Sequence, residues 1–460
     1  MVNDSGEEYL YQPEILNSAK KIGVYKNMSQ LARRIIGKDD GNLEKRNIVW
    51  NMIGSFLYAF ASMILTIAVV QIAGEDAGGI FTFAFTTLGQ HMFTMAYFGI
   101  RPFQITDTGN LYSFGEYLGL RLYTCAAALA VGLGFVAVNG YSADKSLVVV
   151  LMVAYKVIDA LADTYEAEFQ RNGRLYLTGK SNAFRTVLSV GMFLGTLAVT
   201  EKLVVASGAA VAAQIIGFAV FDVLVIRELP NIDWTLRKGK RARLLKDNTL
   251  LFFSVVIDFY IFSASKYAID ACMADKDMAV YGAIFMPTSV INLVAGFVIR
   301  PYLTKLSLSW ETGRLKQFGK QIGMLGGVIG ALTVAALGCA WFLGIPVLSL
   351  LYSNISYALA DCRPAFVLII LGGALNAFMT LFYYALVIMK MQKYIFGVYG
   401  VVGVMALLLS TPLVQWGGVF GGALAYVLLM AALMTFFGLF VFLGMLRAQK
   451  RNDEKGGIGT

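Results

Sequence analysis

Four ionisable side chains sit deep inside long apolar stretches of this sequence: His91, Lys156, Asp159 and Asp258. A charge in low-dielectric surroundings is costly, so such residues face a wet cavity, a counter-charge or both. The chemistry they suggest is handling of ions or charged solutes. Lys156, Asp159, Asp163, Glu166 and Gln170 are spaced i, i+3, i+7, i+10, i+14, which puts them on one face of a helix. That stripe reads as the wall of a water-filled path, or as an internally neutralised Lys156–Asp159 pair that holds helices together. Asp258, Phe262 and Lys266 share a second face. Lys266 is nearer the end of its stretch and could reach out to an interface. Asp258 cannot, which makes it the leading candidate for ion coupling. His91 is the only histidine. It could exchange a proton near neutral pH or serve as a hydrogen-bonded structural residue. Arg185, Asp163 and Asp222 lie nearer stretch ends. Arg101 and Arg300 each precede a proline, and each could hold a phosphate or act as an interfacial anchor.

Other chemistries find little support. Gly173 to Ser181 resembles a phosphate-binding loop, but five residues separate Gly173 from Gly179 where four are required, and no strand precedes it. ATP hydrolysis is not expected. With one histidine and the scattered cysteines Cys125, Cys272, Cys339 and Cys362, neither a metal cluster nor a Ser-His-Asp arrangement can be assembled. Cys272 and Cys362 fall on the same side of the chain's path and could form a disulfide if that side is oxidising. No catalytic residue, cofactor or enzymatic role is expected.

The elements that must position these residues follow from composition. Of 460 residues, 58% are hydrophobic and only 15% charged, against roughly 25% charged in soluble domains. Twelve apolar runs are long enough to cross a bilayer as helices. They lie near 48–72, 78–100, 118–139, 146–165, 182–200, 203–226, 249–269, 278–300, 321–344, 364–389, 394–415 and 418–446. If both termini are cytoplasmic, 32 of the 38 Lys and Arg fall on the cytoplasmic side and 4 on the other. The +9 net charge is thereby explained by topology, and no nucleic-acid partner is expected. Trp50, Trp341 and Trp416 fall near span ends, as an aromatic belt requires. The expected organisation is a polar tail (1–45), a first six-helix lobe (46–226), a basic linker (227–248), a second six-helix lobe (249–446) and a short tail (447–460). The linker's RKGKRAR run (237–243) reads as a topology anchor touching anionic lipid. Ile100-Arg101-Pro102-Phe103 and Ile299-Arg300-Pro301-Tyr302 recur at equivalent ends of the second helix of each half. They point to a 6+6 pseudo-repeat around a central cavity. Pro287 and Pro412 interrupt spans 8 and 11 and could act as hinges or as static bends.

Three segments carry a family resemblance: Gly99-Ile-Arg-Pro-Phe-Gln-Ile-Thr-Asp107, Tyr165-Glu-Ala-Glu-Phe-Gln-Arg-Asn-Gly-Arg174 continuing to Gly179-Lys-Ser181 and Arg185, and Gly344-Ile-Pro-Val-Leu-Ser-Leu-Leu-Tyr352. Over most of residues 45–446 the sequence resembles the polysaccharide-transporter (Wzx-type flippase) branch of the multidrug/oligosaccharidyl-lipid/polysaccharide (MOP) exporter superfamily. The resemblance implies an all-α fold of two lobes in a V around a cavity lined with cationic residues. It implies flipping of undecaprenyl-pyrophosphate-linked oligosaccharide across the bacterial cytoplasmic membrane, without ATP, for cell-surface polysaccharide or lipopolysaccharide assembly. A polysaccharide polymerase and glycosyltransferases would be its functional partners, and membrane lipids its surroundings. On that picture Lys156, Arg185, Lys266, Arg300 and Arg101 could offset the pyrophosphate charge. Asp258, Asp159, Asp163 or His91 could couple an H⁺ or Na⁺ gradient to the switch between conformations. The alternatives are a cation-coupled exporter of drugs or small metabolites on the same fold and, less favoured, a membrane polymerase or glycosyltransferase. The last usually needs large outer loops bearing catalytic groups, and the longest outer loop here, about 345–361, has a single aspartate at its end.

Overall fold

A computed structural model of the chain describes residues 29–37, 42–107, 111–230, 232–237 and 239–456. Most of the polar tail expected over 1–45 lies outside the described residues, as does Lys238 of the basic linker. Among the described residues every regular element is helical. By length and hydropathy alone, nine helical runs could cross a membrane. Two of these are double. Leu43–Phe81 continues through a π-helical turn, Thr82–Leu88, to Gly89–Tyr97, and the run is broken at Gly74, where φ 89° and ψ 179° turn the chain back. The part before Gly74 is α1 and the part after it α2. Gln392–Gly456 is broken in the same way at Gly418, φ 55°, giving α11 and α12. Only glycine takes these angles without strain, so each tight reversal falls on one.

Between them run α3 (Phe114–Asn139), α4 (Ala143–Arg171), α5 (Leu175–Thr200), α6 (Leu203–Arg227), α7 (Lys240–Cys272), α8 (Asp275–Phe285, bent at Pro287, to Ile299), α9 (Leu315–Leu351) and α10 (Arg363–Ile388). The helix α4 is long enough to span but too charged to be scored as apolar. Twelve helices result, with both ends of the described chain on one side, here the terminal side. Several outlast their apolar runs. For example, α5 starts at Leu175 and α7 at Lys240. A helix satisfies its own backbone whether its surface is lipid or water, so nothing stops it at the membrane boundary.

Helices α1 and α5 cross so closely that a Cβ on Gly54 would lie 2.5 Å from the Gly179 carbonyl, and one on Gly179 would lie 2.2 Å from the Trp50 backbone. Small residues let membrane helices meet backbone to backbone. The lookalike phosphate loop is thus the first two turns of a packed helix.

The halves repeat. Ile100–Thr106, opened by the first Ile-Arg-Pro string, is a short helix on the terminal side. The second string forms the turn Arg300–Tyr302 and leads into another short helix, Leu303–Glu311. Helices α2 and α8 meet at Thr82 and Gly282: a Cβ on Gly282 would lie 2.4 Å from the Thr82 methyl. The four cysteines are free thiols; Cys362 donates to the Ala358 carbonyl and does not join Cys272.

Candidate functional site

A cavity of about 400 Å³ lies between the halves, below the Thr82–Gly282 contact and towards the terminal side. Its walls come from α1, α2, α4 and α5 of the first half and α7 and α8 of the second. Polar atoms enter it at helical intervals. Tyr58, Ser62 and Thr66 come from α1 and Thr82, Thr86 and Gln90 from α2, each series at i, i+4, i+8. Ser289 and Asn292 come from α8. Four phenylalanines, Phe85, Phe259, Phe262 and Phe285, supply ring faces.

Two ammonium groups complete the lining, one from each half. The Lys156 Nζ sits 4.1 Å from the Phe85 ring centre and the Lys266 Nζ 4.0 Å from that of Phe285. Phe85 lies on α2 and Phe285 on α8, so each half supplies a ring face to one of the two ammonium groups. Both lysines are buried, and among the described residues neither has an ion-pair partner. No carboxylate lines the cavity. A desolvated cation over a ring face keeps about 1–2 kcal/mol of attraction and remains open to an anion.

Lys266 therefore turns inward to the cavity and does not extend to an interface. Of the α4 stripe, only Lys156 faces the cavity. The expected Lys156–Asp159 pair is not formed, because Asp159 is taken up elsewhere. Its Oδ1 accepts from Arg185 at 2.9 Å and Gln214 at 3.2 Å, and its Oδ2 from the cavity residue Tyr58 at 2.7 Å. Arg185 also reaches Glu166 at 2.9 Å and Asp222 at 3.0 Å, with a side chain only 3% exposed. Arg101 pairs with Asp163 and Glu166 and donates to Gln170 at 3.2 Å. The stripe thus divides: one lysine lies on the cavity wall, and the other four polar groups join helices through arginines, not through Lys156.

Arg185 and Arg101, expected against substrate phosphate, are consumed by carboxylates, and neither lines the cavity. Arg300 is exposed at the terminal end of α8, outside the cavity lining. Asp163 accepts from both Arg101 and Arg121. Asp258 also lies off the cavity. It accepts a hydrogen bond from Tyr399 among the packed helices of the second half. Phe262 and Lys266, on the same helix face, do line the cavity. His91 points to α7 in a separate recess, its Nδ1 2.8 Å from the Tyr267 hydroxyl. Among the described residues no group of three or more metal-ligating side chains is assembled.

Sequence reasoning missed two sets of residues. Arg121 is fully buried and bonds Asp163, the Thr164 hydroxyl and the Ala96 carbonyl. Its place near the start of an apolar run made it look like a flanking charge. The cavity hydroxyls were also missed, although their i, i+4, i+8 spacing was in plain view. The buried ion pairs confined to one half all belong to the first half among the described residues.

No family model and no curated protein matches the sequence. Solved structures do match over nearly the whole chain. The lipid II flippase MurJ in its inward closed conformation superposes with a TM-score of 0.65 at 11% identity, covering 87% of this chain and 90% of that one. The eukaryotic MATE transporter AtDTX14 gives 0.53 at 12%, covering 93% and 98%. An inward-facing multidrug resistance MATE transporter of the MOP superfamily gives 0.53 at 12%, covering 92% and 99%. At such identities the likeness is one of fold: the chain has the helical fold seen in these MATE transporter structures and in MurJ.

Proposed function

We propose that this protein flips an anionic lipid-linked oligosaccharide, of the undecaprenyl-pyrophosphate class, between the leaflets of the bacterial cytoplasmic membrane by alternating access. The observation that carries the reading is the pair Lys156 and Lys266, two partly desolvated ammonium groups from opposite halves in one cavity without a carboxylate. Such a cavity attracts a diphosphate and repels cations. Its hydroxyls and amides suit sugar hydrogen bonding, and its phenylalanine faces suit sugar rings. The cavity is bounded on one side by α1 and by α8 beyond Pro287, whose outer faces expose Phe56, Phe60, Val290 and Phe297. A polyprenyl tail can stay in lipid beside these helices while the head enters. The excess of Lys and Arg on the terminal side supports a cytoplasmic placement of both termini and uptake of the head group from that leaflet. An ion gradient is the proposed drive, with Asp258 and the Asp159 network as its candidate sites. A polymerase and glycosyltransferases would supply and consume the substrate.

The aromatic lining also favours a second reading, an exporter of flat organic cations. Two lysines and no acid in the same space oppose it. Depletion of the protein from its native cells separates the two. The first reading expects lipid-linked oligosaccharide to accumulate in the cytoplasmic leaflet, and Lys156→Ala with Lys266→Ala to reproduce the accumulation. Unchanged lipid-linked pools together with lost dye efflux would put the second reading in its place.

A further inference from the structure

On the side away from the termini the halves are tied together, and one residue of the first half makes the ion pairs of the tie. Lys145, in the first turn of α4, donates to Asp270 Oδ1 at 2.8 Å, at the end of α7, and to Asp275 Oδ1 at 2.6 Å, at the start of α8. The lysine side chain is 8% exposed and that of Asp270 3%. The Tyr141 hydroxyl donates to the second oxygen of Asp270, and its ring lies 4.4 Å from the ammonium. Neutral contacts run beside it. Asn354 donates to the Val70 and Gln71 carbonyls at 3.0 Å, and Gln71 donates to the Leu351 carbonyl at 2.8 Å. Next to the ion pairs, Gly79 passes so close to Asp275 that no methyl group would fit.

We propose that Lys145, Asp270 and Asp275 form the latch that closes the cavity on the side away from the termini, and that their separation opens it there. The proposal rests on the alternating-access reading. One cation lies between two carboxylates of the other half, so parting the halves strips both of the only cation they share among the described residues. The Lys145–Asp270 pair is buried and holds, since removing one partner of a buried pair is strongly unfavourable, and half-buried Asp275 adds a second acceptor. Once the gap admits water, hydration replaces the lysine, so the contact is either made or fully solvated. Without Lys145, Asp270 and Asp275 repel each other across the α7–α8 turn, and the closed form loses its charged tie.

The test uses the full chain in native membranes, with Cys272, Cys339 and Cys362 replaced and Ser289→Cys placed in the cavity as reporter. A membrane-impermeant maleimide is added from the side away from the termini. Lys145→Ala is expected to raise the labelling rate about tenfold or more, and Asp275→Asn to raise it less. The charge swap Lys145→Asp with Asp270→Lys should return it towards the parent. If Lys145→Ala fails to accumulate, Asp275→Asn decides, because it removes charge and keeps shape. Labelling no faster than the parent in the single variants, or a swap as fast as Lys145→Ala, overturns the latch. The readout needs no lipid substrate, so an error in substrate class leaves it intact, and loss of flipping with unchanged labelling counts against the latch alone.

Discussion

Arg185 meets three carboxylates while Lys156, on the neighbouring helix, meets none, and the difference follows from the two head groups. A guanidinium presents five donors in a planar fork and stays charged when buried, so it can bind several acids at once. An ammonium is a compact point charge that rests on a ring face and stays available. The arginines therefore build the frame, and the lysines face the space. Arg185→Met should leave Asp159, Glu166 and Asp222 without their shared cation and cost about 3–5 kcal/mol, read as a fall in thermal midpoint in detergent. Arg300→Ala should stay within about 0.5 kcal/mol. Lys156→Met should leave the midpoint nearly unchanged while abolishing head-group handling; a large stability loss there would assign Lys156 to the frame. The sequence placed Lys156 and Lys266 within long helices, and both line the cavity. It could not show which carboxylate an arginine would choose. Asp159 has Lys156 within one turn, yet it bonds Arg185 from another helix, a pairing that only tertiary packing decides.

At the scale of elements, twelve helices were readable because each must hide about twenty residues' worth of backbone in lipid. Their ends were less readable, since α4, α5 and α7 run on into water with charged turns. The reversals at Gly74 and Gly418 fall at the breaks between paired apolar runs, 48–72 from 78–100 and 394–415 from 418–446, although each helix pair is joined by only a few residues. The close crossing of α1 on α5 makes a sharp prediction. Gly179→Ala should force the helices apart and cost about 1–3 kcal/mol. Gly191→Ala and Gly195→Ala on the same helix meet no neighbouring atom and should be neutral or stabilising. Equal midpoints for all three would remove the crossing as a determinant of the fold.

Across the whole molecule, the Lys and Arg bias predicts how the chain lies in the membrane. A cysteine at Gly140 and one at Gly313 should react with impermeant reagents from opposite sides, and one at Gly313 from the side of the C-terminus; labelling of both from one side would break the twelve-helix count. The Ile-Arg-Pro strings point to the duplication in the sequence, and the two halves meet at the Thr82–Gly282 contact of α2 and α8. The buried charge pairs confined to the first half bear on mechanics as well as stability. Ionic cross-links join α4 to α3, α5 and the helix at Ile100–Thr106, and α5 to α6, and resist shear, whereas among the described residues the second half is held without ion pairs, by dispersion, ring contacts and single hydrogen bonds that let helices slide. The first half should then behave as a stiff lever and the second as the compliant arm. During a stroke the bending would gather at Pro287 and Pro412, and backbone amides of α8 and α11 would exchange with deuterium ahead of those in α4 and α5.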